Sequence, residues 1–159
     1  MIFIDPDGDR VHIVNVQAGG EERILKALDE ALEKYKSKDI PWSDGEPDLA
    51  SDEIKHKLVV YAFLDDKDAS VRTERALSHA WVAKDHDRMV FVKTIGRDND
   101  LAKRYQVATI PTLVYVAPAL KESERMVERK GGEVSLRSIR ASQKKAFERI
   151  KKATEAATK

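Results

Sequence analysis

The chain has 159 residues, 42% of them hydrophobic and 36% charged, with a formal net charge of +1. That is the length of one domain and the composition of a globular one, and so even a charge balance gives no electrostatic reason to expect nucleic acid or an anionic membrane as partner. Cysteine is absent, which removes disulfides, thiolate chemistry and Cys-ligated metal from what this chain can do.

At the start, Met1-Ile2-Phe3-Ile4 runs straight into Asp5-Pro6-Asp7-Gly8-Asp9. There is no basic stretch and no long apolar core of a secretory leader, so a soluble, cytoplasmic protein is the default expectation. No apolar run approaches the roughly 18 residues that a membrane span needs. Ile2–Ile4 and Val11–Val16 flank the turn as a hairpin. Over Glu21–Tyr35 the residues Ile24, Leu28, Ala31, Leu32 and Tyr35 recur at helical spacing and predict an amphipathic helix.

Asp39 to Glu53 changes character. It holds six acids, two prolines and no basic residue, the composition of a linker or a long surface loop. Leu58–Leu64 is continuously apolar, as a strand buried on both faces should be. Ala69–Lys84 predicts a helix capped by Asp68, with Thr73, Leu77, Ala80, Trp81 and Lys84 on one stripe. Met89–Lys93 and Leu113–Val116 read as further strands, with Asn99–Gln106 a short helix between them that turns Leu101 and Tyr105 inward. A short edge strand is expected near Arg125–Glu128.

The last helix has the fullest local signature. Ser135 is its N-cap, Val134 and Ile139 make a hydrophobic staple, and Leu136, Ile139, Ala146, Phe147, Ile150 and Ala153 supply the buried face. From Leu136 to Lys159 there are eight basic residues against Glu148 and Glu155: a solvated face, or a docking surface for an acidic partner or for the acidic linker. Strands alternating with helices predict a mixed α/β sandwich.

One internal similarity stands out. Ile4-Asp5-Pro6 through Gly19-Gly20-Glu21 superposes on Val116-Ala117-Pro118 through Gly131-Gly132-Glu133 at an offset of 112, which suggests a tandem repeat. Other constellations lead to bland readings. Counted from Asp5 as a calcium loop, position six would be Arg10 and position twelve Val16, so a hairpin turn explains the acids better. Asp65, Asp66 and Asp68 complement a helix N-terminus. His12, His56, His79 and His86 lack metal-ligand spacing, Ser70 and Ser78 lack a visible His–Asp arrangement, and neither Gly-Gly pair has the spacing of a phosphate loop. Trp42 and Trp81 read as core or linker anchors. No metal or cofactor is expected.

From about Lys57 to Lys152 the chain resembles the thioredoxin superfamily. The resemblance is carried by Asp100-Leu101-Ala102-Lys103-Arg104-Tyr105-Gln106-Val107-Ala108-Thr109-Ile110-Pro111-Thr112-Leu113, which is similar to that family's short helix, Ile-Pro-Thr turn and following strand. It implies a thioredoxin-like sandwich with a mixed central sheet flanked by helices, and a cis bond at Ile110-Pro111. Alignment of Val60-Tyr61-Ala62-Phe63-Leu64 with the family's central strand puts the two cysteine positions at Lys67 and Ser70 and the buried proton-relay acid at Tyr61; Glu74 matches related versions with an acid there. Dithiol exchange needs a thiolate, so this chain has no such activity and is not expected to be an enzyme of that kind.

The resemblance implies instead a redox-inactive, non-catalytic module. It would bind a protein or an extended peptide in the groove beside the cis-proline, lined by Asp66, Lys67, Asp68, Ser70, Thr109, Ile110, Pro111 and Gly131. The alternative is part of a larger thiol–disulfide oxidoreductase whose cysteines lie outside this chain or were replaced. Three segments are delimited: 1–37, an N-terminal hairpin and helix; 38–56, the acidic linker; and 57–159, the thioredoxin-like unit with its basic helix. Residues 1–37 are either the first strand and helix of that unit or the remnant of a preceding one. The expectation is that they pack on the 58–152 sheet, with packing against a second copy, as a homodimer, the alternative.

Overall fold

The computed structural model describes residues 2–4, 10–13 and 21–157. The acidic turn at Asp5–Asp9, the Gly19-Gly20 pair and the side chains of Ala31, Leu32 and Tyr35 lie outside the described residues. Strands β1 (Ile2–Ile4) and β2 (Arg10–Ile13) pair antiparallel, Ile2 opposite Ile13, and helix α1 (Glu21–Tyr35) follows. A short helix α2 (Asp52–Lys55) leads into β3 (Leu58–Leu64). Then come α3 (Asp68–Ser78), α4 (Ala80–Ala83), β4 (Met89–Ile95), α5 (Asp100–Arg104), β5 (Thr112–Val116), β6 (Met126–Gly131) and the long α6 (Leu136–Ala157).

The main sheet has four strands in the order β4-β3-β5-β6. β3 runs parallel to β4 and antiparallel to β5, and β5 antiparallel to β6. This is the mixed, helix-flanked, thioredoxin-like sandwich that the resemblance implies.

β3 explains why the sandwich has two cores. All seven of its residues are buried, and with a period of two they serve opposite faces. Leu58, Val60, Ala62 and Leu64 join Leu77, Phe91, Leu136, Ile139, Ala146 and Ile150 on the side of α3 and α6. Val59, Tyr61 and Phe63 join Val92, Ala102, Tyr105, Val114 and Val116 on the side of α5. At about 1.5–3 kcal/mol for each large side chain taken from water, this strand anchors both layers.

Local chemistry moves several expected boundaries. The helix expected over Ala69–Lys84 divides at His79, whose backbone is extended (ψ 140°). The His79 Nδ1 accepts the Trp81 backbone N–H at 3.1 Å and so starts a new helix, while the Lys38 N–H takes the Ser78 carbonyl at 2.9 Å. Lys84 is exposed rather than on a buried stripe. The N-cap of α3 is Lys67, not Asp68, and its side chain makes no capping bond. The edge strand expected near Arg125–Glu128 runs from Met126 to Gly131. Its charged side chains suit an edge, where they guard against strand pairing with other chains. On α6 the expected stripe is buried at Leu136, Ile139, Ala146 and Ile150, and the face also takes in two polar residues, Ser142 and Gln143. The Gln143 Nε2 donates to the Met89 sulfur at 3.2 Å.

β1 and β2 form a sheet of their own, so β2 is not the first strand of the main sheet. β2 begins four residues earlier, relative to β6, than a constant offset of 112 requires (10 + 112 = 122, against 126). The open edge of β4 is met instead by the acidic segment. Trp42 bridges Phe91 in parallel, and the Ser43 N–H donates to the Phe91 carbonyl at 2.7 Å. Ile40 and Trp42 pack against the α3–α6 core, whereas Leu49 and Ile54 pack against the α5 core. Residues 40–54 therefore wrap the sheet edge as a strap, joined to α5 by an ion pair between Arg104 and Glu46. Lys93 sits over the Trp42 ring and pairs with Glu74 of α3 at 2.8 Å.

Candidate functional site

The strand registers decide which residues meet at one end of the sheet. Leu64 lies opposite Ile95, Phe63 opposite Thr112, and Thr112 opposite Gly131. The ends of β3, β4 and β6 and the start of β5 thus form one row, and the loop that leaves β3 for α3 rises from its middle.

Lys67, where the resemblance expects the family's first cysteine position, ends that loop, and Ser70, where it expects the second, lies in the first turn of α3. Lys67 is the N-cap of α3 with an 81% exposed side chain, and Ser70 is 1% exposed. The Ser70 hydroxyl donates to Asp65 Oδ1 at 2.5 Å and accepts the Asp65 backbone N–H at 3.1 Å. The same carboxylate accepts the Lys67 N–H at 3.2 Å. The Ser70 hydroxyl, with the Lys67 N–H and ammonium behind it, holds the Asp65 carboxyl below its ordinary pKa. Where a redox site would keep a sulfur available, this loop spends its buried hydroxyl on a closed hydrogen-bonded turn. Tyr61, where the resemblance expects the proton-relay acid, is fully buried beside Tyr105, ring centroids 5.0 Å apart, and burial pushes its phenol up. It stays neutral at ordinary pH.

The second wall is the turn before β5. The Ile110-Pro111 peptide bond is cis. The Thr112 hydroxyl donates to the Thr109 carbonyl at 2.7 Å, and the Gly132 N–H to the Pro111 carbonyl at 2.8 Å. Gly131 closes against this turn so tightly that a Cβ there would stand 2.7 Å from Thr109 Oγ1. Two arginines fasten the turn from either side. Arg97 donates to the Ala108 carbonyl at 3.0 Å. Arg129 of β6 donates to the carbonyls of Tyr105 and Gln106, each at 2.8 Å, where Gln106 ends α5 with φ 50°.

Of the residues expected at the site, Thr109, Ile110, Pro111 and Gly131 form this turn and its closure. Asp66 and Lys67 lie in the loop after β3, and Asp68 and Ser70 in the first turn of α3, at the same end of the sheet. Asp66, Lys67, Asp68 and Thr109 are exposed, whereas Pro111 and Ser70 are buried. Sequence reasoning overlooked two aliphatic side chains left in water nearby: Ile95 at the end of β4, 81% exposed, and Val71 in the first turn of α3, 48% exposed. The signal was present in Ile95 as a lone aliphatic between Lys93-Thr94 and Gly96, past the end of the apolar run Met89–Val92. Among the described residues no group of three or more His, Asp or Glu side chains could hold a metal ion, and no helix is long and apolar enough to cross a membrane.

No protein-family model matches the chain, and no curated protein matches it. Among solved structures it is similar to the germline-specific thioredoxin Deadhead of Drosophila melanogaster, at 23% identity and TM-score 0.44 over 56% of this chain and 81% of that one. It is likewise similar to Fasciola hepatica thioredoxin, at 20% identity and TM-score 0.44 over 57% of this chain and 82% of the other. A third, titled DsbH oxidoreductase, shows 15% identity and TM-score 0.47, covering 85% of this chain and 94% of that one. By its own strand order and crossovers the chain has a thioredoxin-like fold, with no cysteine in it.

Proposed function

We propose that the chain is a non-catalytic thioredoxin-like module that binds an extended segment of another protein at the end of the sheet marked by Ile110-Pro111. The observation that carries this reading is the pair of exposed aliphatic residues, Ile95 and Val71, at the same end of the sheet as that turn and the Asp66–Ser70 loop. Leaving large apolar side chains in water is costly unless something covers them. An extended segment would add its backbone to the turn and place alternate side chains on the aliphatics, the logic of strand addition. The ordered loop of Asp65 and Ser70 supports binding over chemistry, because its hydroxyl and carboxylate already satisfy each other.

The test is panning of an extended-peptide library against the chain, followed by titration of the selected peptides with amide shifts as readout. Shifts should concentrate at Asp66–Ser70, Ile95 and Thr109–Thr112, and Ile95→Asp with Val71→Asp should weaken binding at least about tenfold, the loss expected for roughly 1.4 kcal/mol of apolar contact. Absence of selected peptides, or selected peptides that shift other surfaces, would overturn the reading. The alternative, a piece of a larger thiol–disulfide oxidoreductase, rests on the pattern of an exposed Lys67 and a buried Ser70 at the head of α3. It predicts disulfide reduction only by a longer form that carries cysteines.

A further inference from the structure

The charge of this chain is nearly balanced in total and strongly separated in space. The segment 39–53 carries six acids and no base. Helix α6 carries seven bases, Arg137, Arg140, Lys144, Lys145, Arg149, Lys151 and Lys152, against Glu148 and Glu155. Neither satisfies the other within one molecule. The strap lies along β4, and its Glu46 is held by Arg104. Asp44, Asp48, Asp52 and Glu53 are exposed and make no ion pair with any described residue.

On the basic side there is a groove. It lies between the connection from β5 to β6 and the last turns of α6, with a cavity volume of about 440 Å³. Leu120, Ala153 and Ala156 give it an apolar floor, and Lys121, Arg149 and Lys152 a basic rim in which Glu124 is the one acid. Those three cations also make no ion pair with a described residue. The strap offers a protrusion of matching kind. In Asp48-Leu49-Ala50-Ser51-Asp52, Asp48 Oδ1 accepts the Ala50 N–H at 2.9 Å and the Asp48 carbonyl accepts the Ser51 N–H at 3.1 Å. That turn holds the exposed Ala50 between two exposed carboxylates.

We propose that the groove of α6 receives the acidic strap of a second copy of this chain. A small apolar residue flanked by acids meets a small apolar floor flanked by bases, and Asp48, Asp52, Lys121, Arg149 and Lys152 make no ion pair among the described residues. The two surfaces lie at opposite edges of the sheet, the strap on β4 and the groove beside the connection into β6. The contact is therefore heterologous: each copy gives its strap to one neighbour and its groove to another, and growth continues past two. This proposal is independent of the peptide-binding reading, since it uses neither the Ile110-Pro111 turn nor the aliphatics beside it.

Sedimentation velocity across a concentration series tests it, at about 10 mM and about 150 mM salt, where the screening length falls from roughly 30 Å to 8 Å. At low salt the weight-average sedimentation coefficient should climb with concentration without levelling at the dimer value, and at the higher salt association should weaken at least about tenfold, since the attraction is between exposed charges. Arg149→Glu with Lys152→Glu should give a monomer at low salt, as should Asp48→Lys with Asp52→Lys. An equimolar mixture of those two double variants should associate again, because each supplies the surface that the other has reversed. That rescue also shows that both variants are folded. A monomer at every concentration at low salt would overturn the proposal and leave the groove to a different protein. So would a plateau at the dimer, or association that survives both reversals.

Discussion

Gly131→Ala puts the closure of the turn to a quantitative test. A Cβ at 131 would stand 2.7 Å from Thr109 Oγ1 and 3.3 Å from Thr112 Oγ1, where ordinary contact begins near 3.4 Å. The second neighbour cannot retreat, because the Thr112 hydroxyl is bonded to the Thr109 carbonyl and Thr112 is 1% exposed. Relief must come from Thr109 changing rotamer or from β6 shifting, which costs about 1–3 kcal/mol in a packed site. Gly131, unlike Gly132 with its φ of 80°, is not in the left-handed region. Replacing it with alanine therefore also recovers about 0.4–1 kcal/mol by restricting the unfolded chain. The net expectation is a loss of about 1–2 kcal/mol, read as a lower urea midpoint at unchanged slope.

The same substitution in a Thr109→Ala background supplies the control. With the hydroxyl gone, Gly131→Ala should be neutral or slightly stabilising, a coupling of about 1–3 kcal/mol between the two positions. Equal destabilisation in both backgrounds would refute the reasoning, since the cost would then lie in the backbone and not in the contact.

Three further outcomes are expected. Burial holds the His86 ring below its ordinary pKa, against the pull of its contact with the Leu77 carbonyl. Its neutral form therefore contributes stability that is present above the unfolded value of about 6.5 and lost as pH falls through the lower folded value. Urea midpoints measured from neutral to acid pH should fall more steeply for the wild type than for His86→Gln; parallel profiles would rule this out. Thr73, fully buried, accepts the Val134 N–H at 3.2 Å and donates to the Ala69 carbonyl at 2.8 Å. Thr73→Val keeps the shape and strands the amide, so it should cost about 1–3 kcal/mol in chemical denaturation, whereas an unchanged midpoint would mean that the bond is expendable. Finally, Lys67→Cys with Ser70→Cys should give a chain that oxidises to an intramolecular disulfide under mild conditions, counted as loss of free thiol without a dimer on a non-reducing gel. Two persistently free thiols would show that Lys67 and Ser70 do not occupy the paired positions.

Legibility in the sequence followed the locality of the signal. β3 and β5 were readable because burial on both faces leaves an unbroken apolar run, and α6 because Ser135, Val134 and Ile139 sit next to one another in the chain. The strap was not, since Ile40, Trp42, Leu49 and Ile54 follow neither a period of two nor one of 3.6, and two prolines and six acids surround them. Their partners are the two cores, which do not exist until the sheet forms. The break at His79 depended on an imidazole capping its own downstream helix, and that competition between side chain and backbone is invisible to periodicity. Ser142 and Gln143 looked like solvent-facing residues on a basic helix. Only the packing of α6 against the sheet shows them as buried.

The guanidinium of Arg129 has a mechanical consequence for the turn before β5. By holding the carbonyls of Tyr105 and Gln106 from β6, it locks the exit of α5 to the edge strand, and Gly131 presses the same strand against Thr109. The turn is thus braced at both ends against the edge strand. The loop from Asp65 to Lys67 is held by the small hydrogen-bonded ring around Ser70 and a long ion pair of 3.9 Å. At this end of the sheet the turn before β5 is therefore tied to a neighbouring strand, whereas the loop after β3 is tied chiefly to itself.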